Sequence, residues 1–260
     1  MSRPPADILA RIVERRRERF ADALRPPADN GQTVPIRQTN PLVAALSERR
    51  GRAVIAEVKL GSPSLGNLAG RIDPETLARS YRRNGAAAVS VVVEPDFFHG
   101  SYELLERVRE ASGLPAIAKD FVVSELQLRS AVAAGADAIL LIASLYDREG
   151  LRRWAAAARG HGLVPLIETH DEADMELLGG GDWELVGINN RDLRTFTVDL
   201  ERSIERLALL PAGALKVAES GIRGRREIDR LAAAGFDAFL VGEALVTAAD
   251  PGAALAELAT

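Results

Sequence analysis

Short apolar runs alternate with longer segments of helical periodicity from residue 54 to the end of the chain. The runs carry almost no polar residue before their last positions, which is typical of parallel strands buried on both faces. The longer segments place apolar residues three and four positions apart, which is typical of amphipathic helices. We predict eight strands, which end near Lys59, Val93, Lys119, Ile142, Glu168, Asn189, Glu219 and Val241.

A helix is predicted after each of these strands. The helical segments cover approximately Pro74–Asn84, Tyr102–Ser112, Ser124–Ala134, Arg148–Arg159, Asp171–Leu178, Leu200–Leu209, Arg225–Ala234 and Gly252–Leu258. Three junctions between helix and strand are similar in sequence, Gly85–Val89, Gly135–Ile139 and Gly235–Phe239, and their glycines are expected to end the helices in the left-handed conformation. Eight repeated units, without a GxGxxG after the first strand, favour a single (β/α)8 TIM barrel over an open doubly wound sheet.

Residues 1–50 are expected to form an N-terminal helical extension that packs on the barrel, and residues 51–260 are assigned to the barrel itself. Apolar residues recur there at helical spacing, at Ile8, Leu9, Ile12, Val13, Phe20 and Leu24. Pro26-Pro27, Asn30-Gly31 and Pro35 interrupt this pattern before a second predicted helix at Asn40–Arg49. Packing on the barrel is favoured over a partner-binding arm, and the arginine cluster of residues 15–19 is predicted to be a solvated face.

Lysine is rare in this chain. Of 33 basic residues only Lys59, Lys119 and Lys216 are lysines, and the first two end apolar runs. Arginine stays charged near neutral pH, whereas the pKa of a lysine in a pocket can be tuned for proton transfer. We therefore predict acid–base chemistry at the ends of strands one and three. Lys216 lies near the start of strand seven and is predicted to face away from the site, in a structural role.

The composition excludes several classes of function. The net charge of −4 gives no electrostatic case for binding nucleic acid or an anionic membrane. The absence of cysteine excludes disulfides, zinc–thiolate sites and a cysteine nucleophile, and the three histidines lack metal-ligand spacing, so we expect no metal. Neither a secretory signal nor a run as long as a membrane span is found, so the protein is predicted to be cytoplasmic.

Polar residues gather at the predicted ends of the strands, which meet at one mouth of a parallel barrel. The residues concerned are Glu57 and Lys59 on strand one, Lys119 on strand three, Glu168 on strand five, Asn189 and Arg191 on strand six, and Glu219 and Ser220 on strand seven. Any one of them taken alone is more often part of a structural ion pair. Five strands that contribute in the same register favour an active site.

Two glycine-containing stretches suggest a phosphate site, because loops after strands seven and eight often bind phosphate in this architecture. They are Ser220-Gly221 and Gly242-Glu243, although each glycine could equally serve only to turn the chain. The loop after strand one, with Ser62, suits a mobile clamp or an ordinary surface loop. Phe97-Phe98 and Phe121 follow strands two and three, where they could form an apolar wall for a planar substrate or simply pack.

These stretches together resemble indole-3-glycerol phosphate synthase, a family of tryptophan biosynthesis, over nearly the whole chain. The stretches that carry the resemblance are Ile55–Lys59, Ser62–Ser64, Glu94–Ser101, Lys119–Phe121, Pro165–Glu168, Gly187–Leu193, Ala218–Ile222 and Val241–Glu243. Their order and their positions at strand ends make the match highly specific.

The resemblance implies a reaction without a cofactor. The substrate, 1-(2-carboxyphenylamino)-1-deoxyribulose 5-phosphate, loses carbon dioxide and water as the indole ring closes. By resemblance Lys119 is the acid for ring closure, and Lys59 and Glu168 act in dehydration, with the roles of the two lysines exchangeable. Glu57 would orient Lys59, and Glu219 would complete the polar floor.

The resemblance also implies the binding residues. Asn189 and Arg191 would contact the hydroxyls and the carboxylate region of the substrate, and Phe98 and Phe121 would sandwich its aromatic ring. The phosphate would be surrounded by Ser62, Ser220, Gly221, Gly242 and, through its backbone N–H, Glu243. The only partner predicted directly is this phosphorylated small molecule; the resemblance also allows association with other tryptophan-pathway enzymes.

The chain departs from the family pattern at Leu60 and Leu65, where basic residues are often found, and at Ala118, where a bulkier residue is common. We expect the two leucines to weaken the long-range attraction of an anionic substrate rather than the chemistry.

Two other functions compete with the synthase. Phosphoribosylanthranilate isomerase would need an acid–base pair on other strand ends, and a non-catalytic or differently specific phosphate-binding barrel should have lost a central lysine or glutamate.

Overall fold

The computed structural model describes residues 8–24, 27, 40–192 and 197–260, and its centre is a closed barrel of eight parallel strands. These strands are β1 (Ala53–Val58), β4 (Ala88–Val92), β5 (Ala116–Lys119), β6 (Ala138–Ile142), β7 (Val164–Thr169), β8 (Leu185–Asn189), β9 (Leu215–Glu219) and β10 (Ala238–Val241). Each strand pairs with the next around the barrel, and β10 closes the barrel on β1. The predicted (β/α)8 TIM barrel is confirmed. A short hairpin, β2 (Gly61–Ser62) and β3 (Gly66–Asn67), follows β1.

The helices alternate with the barrel strands as predicted. They are α1 (Ile8–Arg19), α2 (Pro41–Glu48), α3 (Pro74–Arg83), α4 (Pro95–Phe98), α5 (Tyr102–Ser112), α6 (Glu125–Ala133), α7 (Arg148–Gly160), α8 (Glu172–Glu176), α9 (Leu200–Arg206), α10 (Arg225–Ala234), α11 (Glu243–Val246) and α12 (Pro251–Ala259). The helix predicted over Asp171–Leu178 is shorter than expected, because Asp171 caps α8 instead of joining it. None of the described helices is long and apolar enough to cross a membrane.

The strand alternation separates two apolar cores. Inside the barrel, Ile55, Ile117, Leu140, Leu166 and Val217 belong to one cluster of buried residues. Their neighbours along the strands point the other way and pack against the surrounding helices in a second cluster. This alternation determines which polar side chains point into the barrel. A residue two positions beyond an inward apolar residue also faces inward, at the mouth of the barrel.

The three helix-ending glycines adopt the predicted conformation. Gly85, Gly135 and Gly235 have φ values of +93°, +79° and +114°. Side chains other than glycine rarely adopt this left-handed conformation, so each glycine lets a helix stop and the next strand begin within two or three residues.

The described part of the N-terminal region packs on both ends of the barrel. Leu42 and Leu46 of α2 join the inner cluster, and the Asn40 side chain donates a hydrogen bond of 3.0 Å to the carbonyl of Asp137. On α1, Ile8 and Ile12 are buried. The predicted breaks at Pro26, Asn30-Gly31 and Pro35, like Leu193, lie outside the described residues. The domain division at residue 50 stays a prediction.

One arginine of the N-terminal cluster contradicts its predicted solvation. Arg15, Arg17 and Arg19 are exposed, but Arg16 is buried and forms an ion pair with Asp120. Asp120 also accepts hydrogen bonds from the hydroxyl of Tyr102 and from the amide of Gln127, at 2.7 and 2.9 Å. Because a buried guanidinium requires a partner, this carboxylate makes burial of Arg16 tolerable.

Candidate active site

A cavity opens at the C-terminal mouth of the barrel, and every site residue predicted from the sequence lines it. These residues are Glu57, Lys59, Ser62, Phe98, Lys119, Phe121, Glu168, Asn189, Arg191, Glu219, Ser220, Gly221, Gly242 and Glu243. The N-terminal helix α1 contributes to the wall through Ile8, Leu9 and Ile12. The fold thus brings the predicted set together, while the roles of its members stay predictions.

Lys119 lies at the centre of the charged groups. Its Nζ atom donates hydrogen bonds to Glu168 Oε2 at 3.0 Å and to Glu219 Oε2 at 3.1 Å. The two carboxylates come from β7 and β9 and are almost completely buried. Burial lowers the pKa of Lys119, but attraction to the carboxylates, above all Glu168 and Glu219, outweighs burial and holds the pKa above its ordinary value. The side chain is therefore an ammonium at neutral pH.

The two carboxylates around Lys119 differ in protonation. Burial raises the pKa of Glu168, but Lys119 and His170 outweigh it and hold the pKa well below its ordinary value. Burial raises the pKa of Glu219 to about 8, because Lys119 offsets the burial only in part and Glu168 repels a second negative charge. The cations outweigh burial at Glu168, whereas burial outweighs Lys119 at Glu219, so the two pKa values are shifted in opposite directions.

Glycine on the inner face of the barrel makes room for these carboxylates. A Cβ atom at Gly187 of β8 would lie 2.1 Å from Glu219 Oε1, and one at Gly242 would lie 2.2 Å from Glu57 Oε1. Any larger residue at either position would displace a charged group of the site. Gly187 belongs to a motif recognised in the sequence, but its role could not be inferred without the position of Glu219.

Glu57 and Lys59 form the second charged pair of the mouth. Lys59 Nζ lies 2.9 Å from Glu57 Oε1, as their spacing of two residues on one strand suggested. Lys59 is more accessible than its partner, with side-chain exposures of 13% and 6%. Glu57 therefore orients the Lys59 side chain, whose amino group still reaches the cavity.

His170 contacts Glu168 from outside the active-site cavity and was not among the site residues predicted from the sequence. Its Nε2 atom lies 3.2 Å from Glu168 Oε1, and its Nδ1 atom lies 3.3 Å from Asp174 Oδ2. Burial lowers the pKa of His170, but the carboxylates of Asp174 and Glu168 outweigh it and raise the pKa to about 10. His170 is thus a second cation beside Glu168. Its position two residues after Glu168 was the available signal, but the histidines had been considered only as metal ligands.

The aromatic wall consists of Phe98 and Phe121, whose ring centroids are 6.0 Å apart with planes inclined by 33°. Phe98 ends α4, and the buried Glu94 caps that helix by accepting hydrogen bonds from three of its N–H groups. Phe97 does not share this wall, because its ring lies 5.7 Å from the Arg11 guanidinium on α1. At this distance the two rings pack on each other and form an apolar wall of the cavity, against which a planar group fits.

Polar groups of the loops complete the rim. Arg191 Nη2 lies 2.7 Å from Glu243 Oε2, and the Asn189 side chain accepts a hydrogen bond from the Arg191 N–H. Ser62 accepts a hydrogen bond from the N–H of Leu65, which ties the hydroxyl to the hairpin. Lys216, as predicted, does not line this cavity; on β9 it alternates with the inward residues Val217 and Leu215.

The loop after β9 has two consecutive residues with positive φ, Ser220 at +66° and Gly221 at +77°. A Cβ atom at Gly221 would lie 2.2 Å from Val198 Cγ1, so only glycine fits beneath the neighbouring loop. Serine rarely adopts this conformation, and its presence here indicates that the surrounding structure holds the loop in one shape.

Comparisons with known proteins agree with this geometry. A family model described as indole-3-glycerol phosphate synthase matches residues 9–258. A protein of that name from Burkholderia vietnamiensis is 43% identical over 258 residues, which cover 97% of this chain and 99% of that protein. A protein of the same name from Desulfotalea psychrophila is 40% identical over 257 residues, which cover 97% and 98%.

The similar solved structures have low sequence identity to this chain, so the similarity concerns the fold alone. The 3-hexulose-6-phosphate synthase from Salmonella typhimurium superimposes with a TM-score of 0.63 at 14% identity, over 80% of this chain and 96% of that chain. The thiamine phosphate pyrophosphorylase from Pyrococcus furiosus gives a TM-score of 0.58 at 16% identity, over 81% and 95%.

Proposed function

Because the chain belongs to the indole-3-glycerol phosphate synthase family, we propose that it converts 1-(2-carboxyphenylamino)-1-deoxy-D-ribulose 5-phosphate to indole-3-glycerol phosphate. It is an enzyme of the carboxy-lyase class. The observation that carries the residue assignments is the position of Lys119, whose Nζ atom donates hydrogen bonds to both Glu168 and Glu219 inside one cavity. No cofactor takes part in the proposed reaction.

Lys119 acts first in the proposed mechanism. Its ammonium hydrogen-bonds the ketose carbonyl oxygen, which makes the carbonyl carbon a better electrophile. The aromatic carbon that carries the carboxylate attacks this carbon, and the carbonyl oxygen takes a proton as the new carbon–carbon bond forms. Loss of carbon dioxide from the same ring carbon then restores aromaticity. The buried carboxylates keep Lys119 charged and in place.

Dehydration follows at the carbon that has become a hydroxyl-bearing ring carbon. A lysine ammonium protonates the departing hydroxyl, and Glu168 accepts the proton that is lost as the indole double bond forms. Lys59 and Lys119 both reach the cavity, and their roles as donors are exchangeable. Glu57 orients Lys59, and Glu219 completes the polar floor of the site, where it accepts a hydrogen bond from Lys119.

The substrate is positioned by groups around the charged centre. Phe98 and Phe121 take the anthranilate ring, and Asn189 and Arg191 take the hydroxyls and the carboxylate region. The phosphate lies among Ser62, Ser220, Gly221, Gly242 and Glu243. Arg191 already has an anionic partner, Glu243, at 2.7 Å. An incoming anion therefore replaces an existing carboxylate and does not leave the guanidinium unpaired.

The test is turnover of this substrate by the purified protein in the presence of a chelator, followed by indole fluorescence. The variant Lys119→Met should lose at least about 100-fold in kcat, the range expected for removal of a general acid. Lys216→Met is the matched control, because it removes a lysine that does not line the cavity, and it should keep normal kcat.

Two outcomes would contradict the proposal. If the wild-type protein binds the substrate but forms no indole, the chain is a differently specific or non-catalytic phosphate-binding barrel. If Lys119→Met retains turnover close to that of Lys216→Met, Lys119 has no part in the mechanism. Cytoplasmic location and association with other pathway enzymes stay predictions.

A further inference from the structure

Asn190 is a buried residue that touches the proposed phosphate loop from behind. Its side chain is 5% exposed. Its Nδ2 atom donates hydrogen bonds of 2.8 Å to the carbonyl oxygens of both Glu219 and Ser220. Its backbone N–H donates a third hydrogen bond, also 2.8 Å, to the carbonyl of Glu219. One residue thus holds two successive carbonyl groups of the loop after β9.

The direction of two carbonyls decides the direction of two N–H groups. In a trans peptide the N–H points away from the preceding carbonyl, and the described residues contain no cis peptide. The carbonyls of Glu219 and Ser220 point to Asn190, so the N–H groups of Ser220 and Gly221 point to the opposite side. Within the described part of the chain, neither N–H donates to a backbone carbonyl or a side chain.

The opposite side is the active-site cavity. Ser220 and Gly221 line this cavity, whereas Asn190 does not line it and lies at a neighbouring polar cavity. In this arrangement Ser220 and Gly221 both have positive φ values, a conformation that is energetically unfavourable for serine. Two free N–H donors that converge on one cavity form a binding site for an anionic oxygen.

We infer that Asn190 is a positioning residue of the phosphate site: by holding the carbonyls of Glu219 and Ser220, it turns the N–H groups of Ser220 and Gly221 towards the substrate phosphate. This rests on the proposed function for the identity of the phosphate. Asn190 itself touches no substrate. It also links the phosphate loop to Asn189 and Arg191, its neighbours in sequence, whose side chains line the same cavity.

The test is the variant Asn190→Asp, which keeps the shape of the side chain but replaces its two N–H donors with an oxygen that repels the carbonyls. The KM for the substrate should rise about tenfold, which corresponds to a loss of about 1.4 kcal/mol in binding free energy at the phosphate. The inhibition constant of inorganic phosphate should rise by a similar factor. The kcat should change much less, because Lys119, Lys59 and Glu168 keep their positions. Asn190→Ser retains one hydroxyl donor, so its KM should lie between the KM of the wild type and that of Asn190→Asp.

Asn40→Asp is the matched control. Asn40 is a buried asparagine whose Nδ2 atom also donates to a backbone carbonyl, that of Asp137. The exchange leaves intact the cap of α2, which uses the other side-chain atom, Oδ1. Both variants lose stability, as measured by urea unfolding, but only Asn190→Asp should weaken phosphate binding.

Binding of inorganic phosphate, measured by calorimetry, separates failure of this inference from failure of the proposed function. If the wild type turns over the substrate, and both Asn190→Asp and Asn190→Ser keep the KM and the phosphate affinity of the wild type, the inference is wrong and the proposed function stands. A fall in kcat at unchanged KM would also overturn it. If the wild type forms no indole but phosphate binding weakens selectively in Asn190→Asp, the proposed function fails and Asn190 keeps its role.

Discussion

At the scale of single residues, Glu168 and Glu219 bind the same ammonium but have different surroundings. Glu168 contacts two basic side chains, Lys119 at 3.0 Å and His170 at 3.2 Å, whereas among the described residues Glu219 forms an ion pair with Lys119 alone. Burial raises the pKa of both carboxyl groups, but the cations next to Glu168 outweigh burial there, so the two pKa values are shifted in opposite directions.

His170→Asn should change the pH dependence of stability. The folded state raises the pKa of His170 from 6.5 to about 10, so its stabilising contribution is complete below pH 6.5 and is lost as the pH rises through 10. The imidazole contacts the carboxylates of Glu168 and Asp174, the Arg206 guanidinium donates to the His170 carbonyl, and Asp171 lines the same polar cavity as His170. The difference in unfolding free energy between wild type and variant should shrink by at most about 1.4 kcal/mol per pH unit across this interval.

Urea unfolding at several pH values between 6 and 10 measures this difference. The control is His161→Asn, which changes the histidine at the C-terminus of α7, outside the cavity. Its difference from the wild type should not follow the same course. A His170→Asn curve parallel to that of the wild type would show that His170 is not held as a cation.

At the scale of elements, helix α1 forms one wall of the active site. Ile8, Leu9 and Ile12 line the cavity, and the Arg16–Asp120 ion pair anchors the helix next to Lys119. The Arg16 guanidinium also lies 5.0 Å from the ring of Phe20. Because Asp120 directly follows Lys119 in the chain, the anchor of α1 and the end of β5 are parts of one network.

Arg16→Met should therefore destabilise the protein strongly. It leaves Asp120 buried with neutral donors alone, which are Tyr102, Gln127 and the backbone N–H of Phe121, and loss of one partner from a buried ion pair costs about 3–5 kcal/mol. The free energy of urea unfolding measures the loss. Arg15→Met, which removes an exposed pair with Glu18, is the control and should change stability little. Equal stability of the two variants would mean that the buried pair does not anchor α1.

At the scale of the whole molecule, barrel closure gathers charges that are far apart in the chain, while the surface remains weakly anionic. The net charge is −4, and the loop after β1 presents Leu65 instead of a basic residue. An anionic substrate thus gains little long-range attraction from the protein surface. The attraction comes from the lysines and Arg191 within the mouth, where screening by salt is weaker.

Leu65→Lys should raise kcat/KM on the order of threefold at low ionic strength, because a single positive charge near the mouth attracts the substrate phosphate. The gain should disappear as salt is added, and kcat should not change. Leu65→Glu is the control of opposite sign and should lower kcat/KM under the same conditions. A gain that persists at high salt would indicate a direct contact instead of long-range attraction.

Much of this architecture was predictable from local patterns. Strands end where an apolar run meets Lys119 or Glu219, and Gly85, Gly135 and Gly235 end helices, because both signals depend on the backbone and on nearest neighbours. Parallel strands share a direction, so residues at their ends meet at one mouth whatever the rest of the chain does. The sequence alone therefore determined the barrel, the membership of the cavity and the residues that resemble a known family.

Only the tertiary structure decided which of these residues interact and in which charge state. Lys119 meets Glu219 across 100 positions of sequence, and it can do so because Gly187, on a third segment, leaves space for the carboxylate. Three other features likewise depend on groups that are distant in sequence. They are the burial of Arg16, the raised pKa of His170 and the hydrogen bonds from Asn190 to two carbonyl groups. Pairing, desolvation and pKa shifts arise from three-dimensional distances, which the order of residues along one chain does not contain.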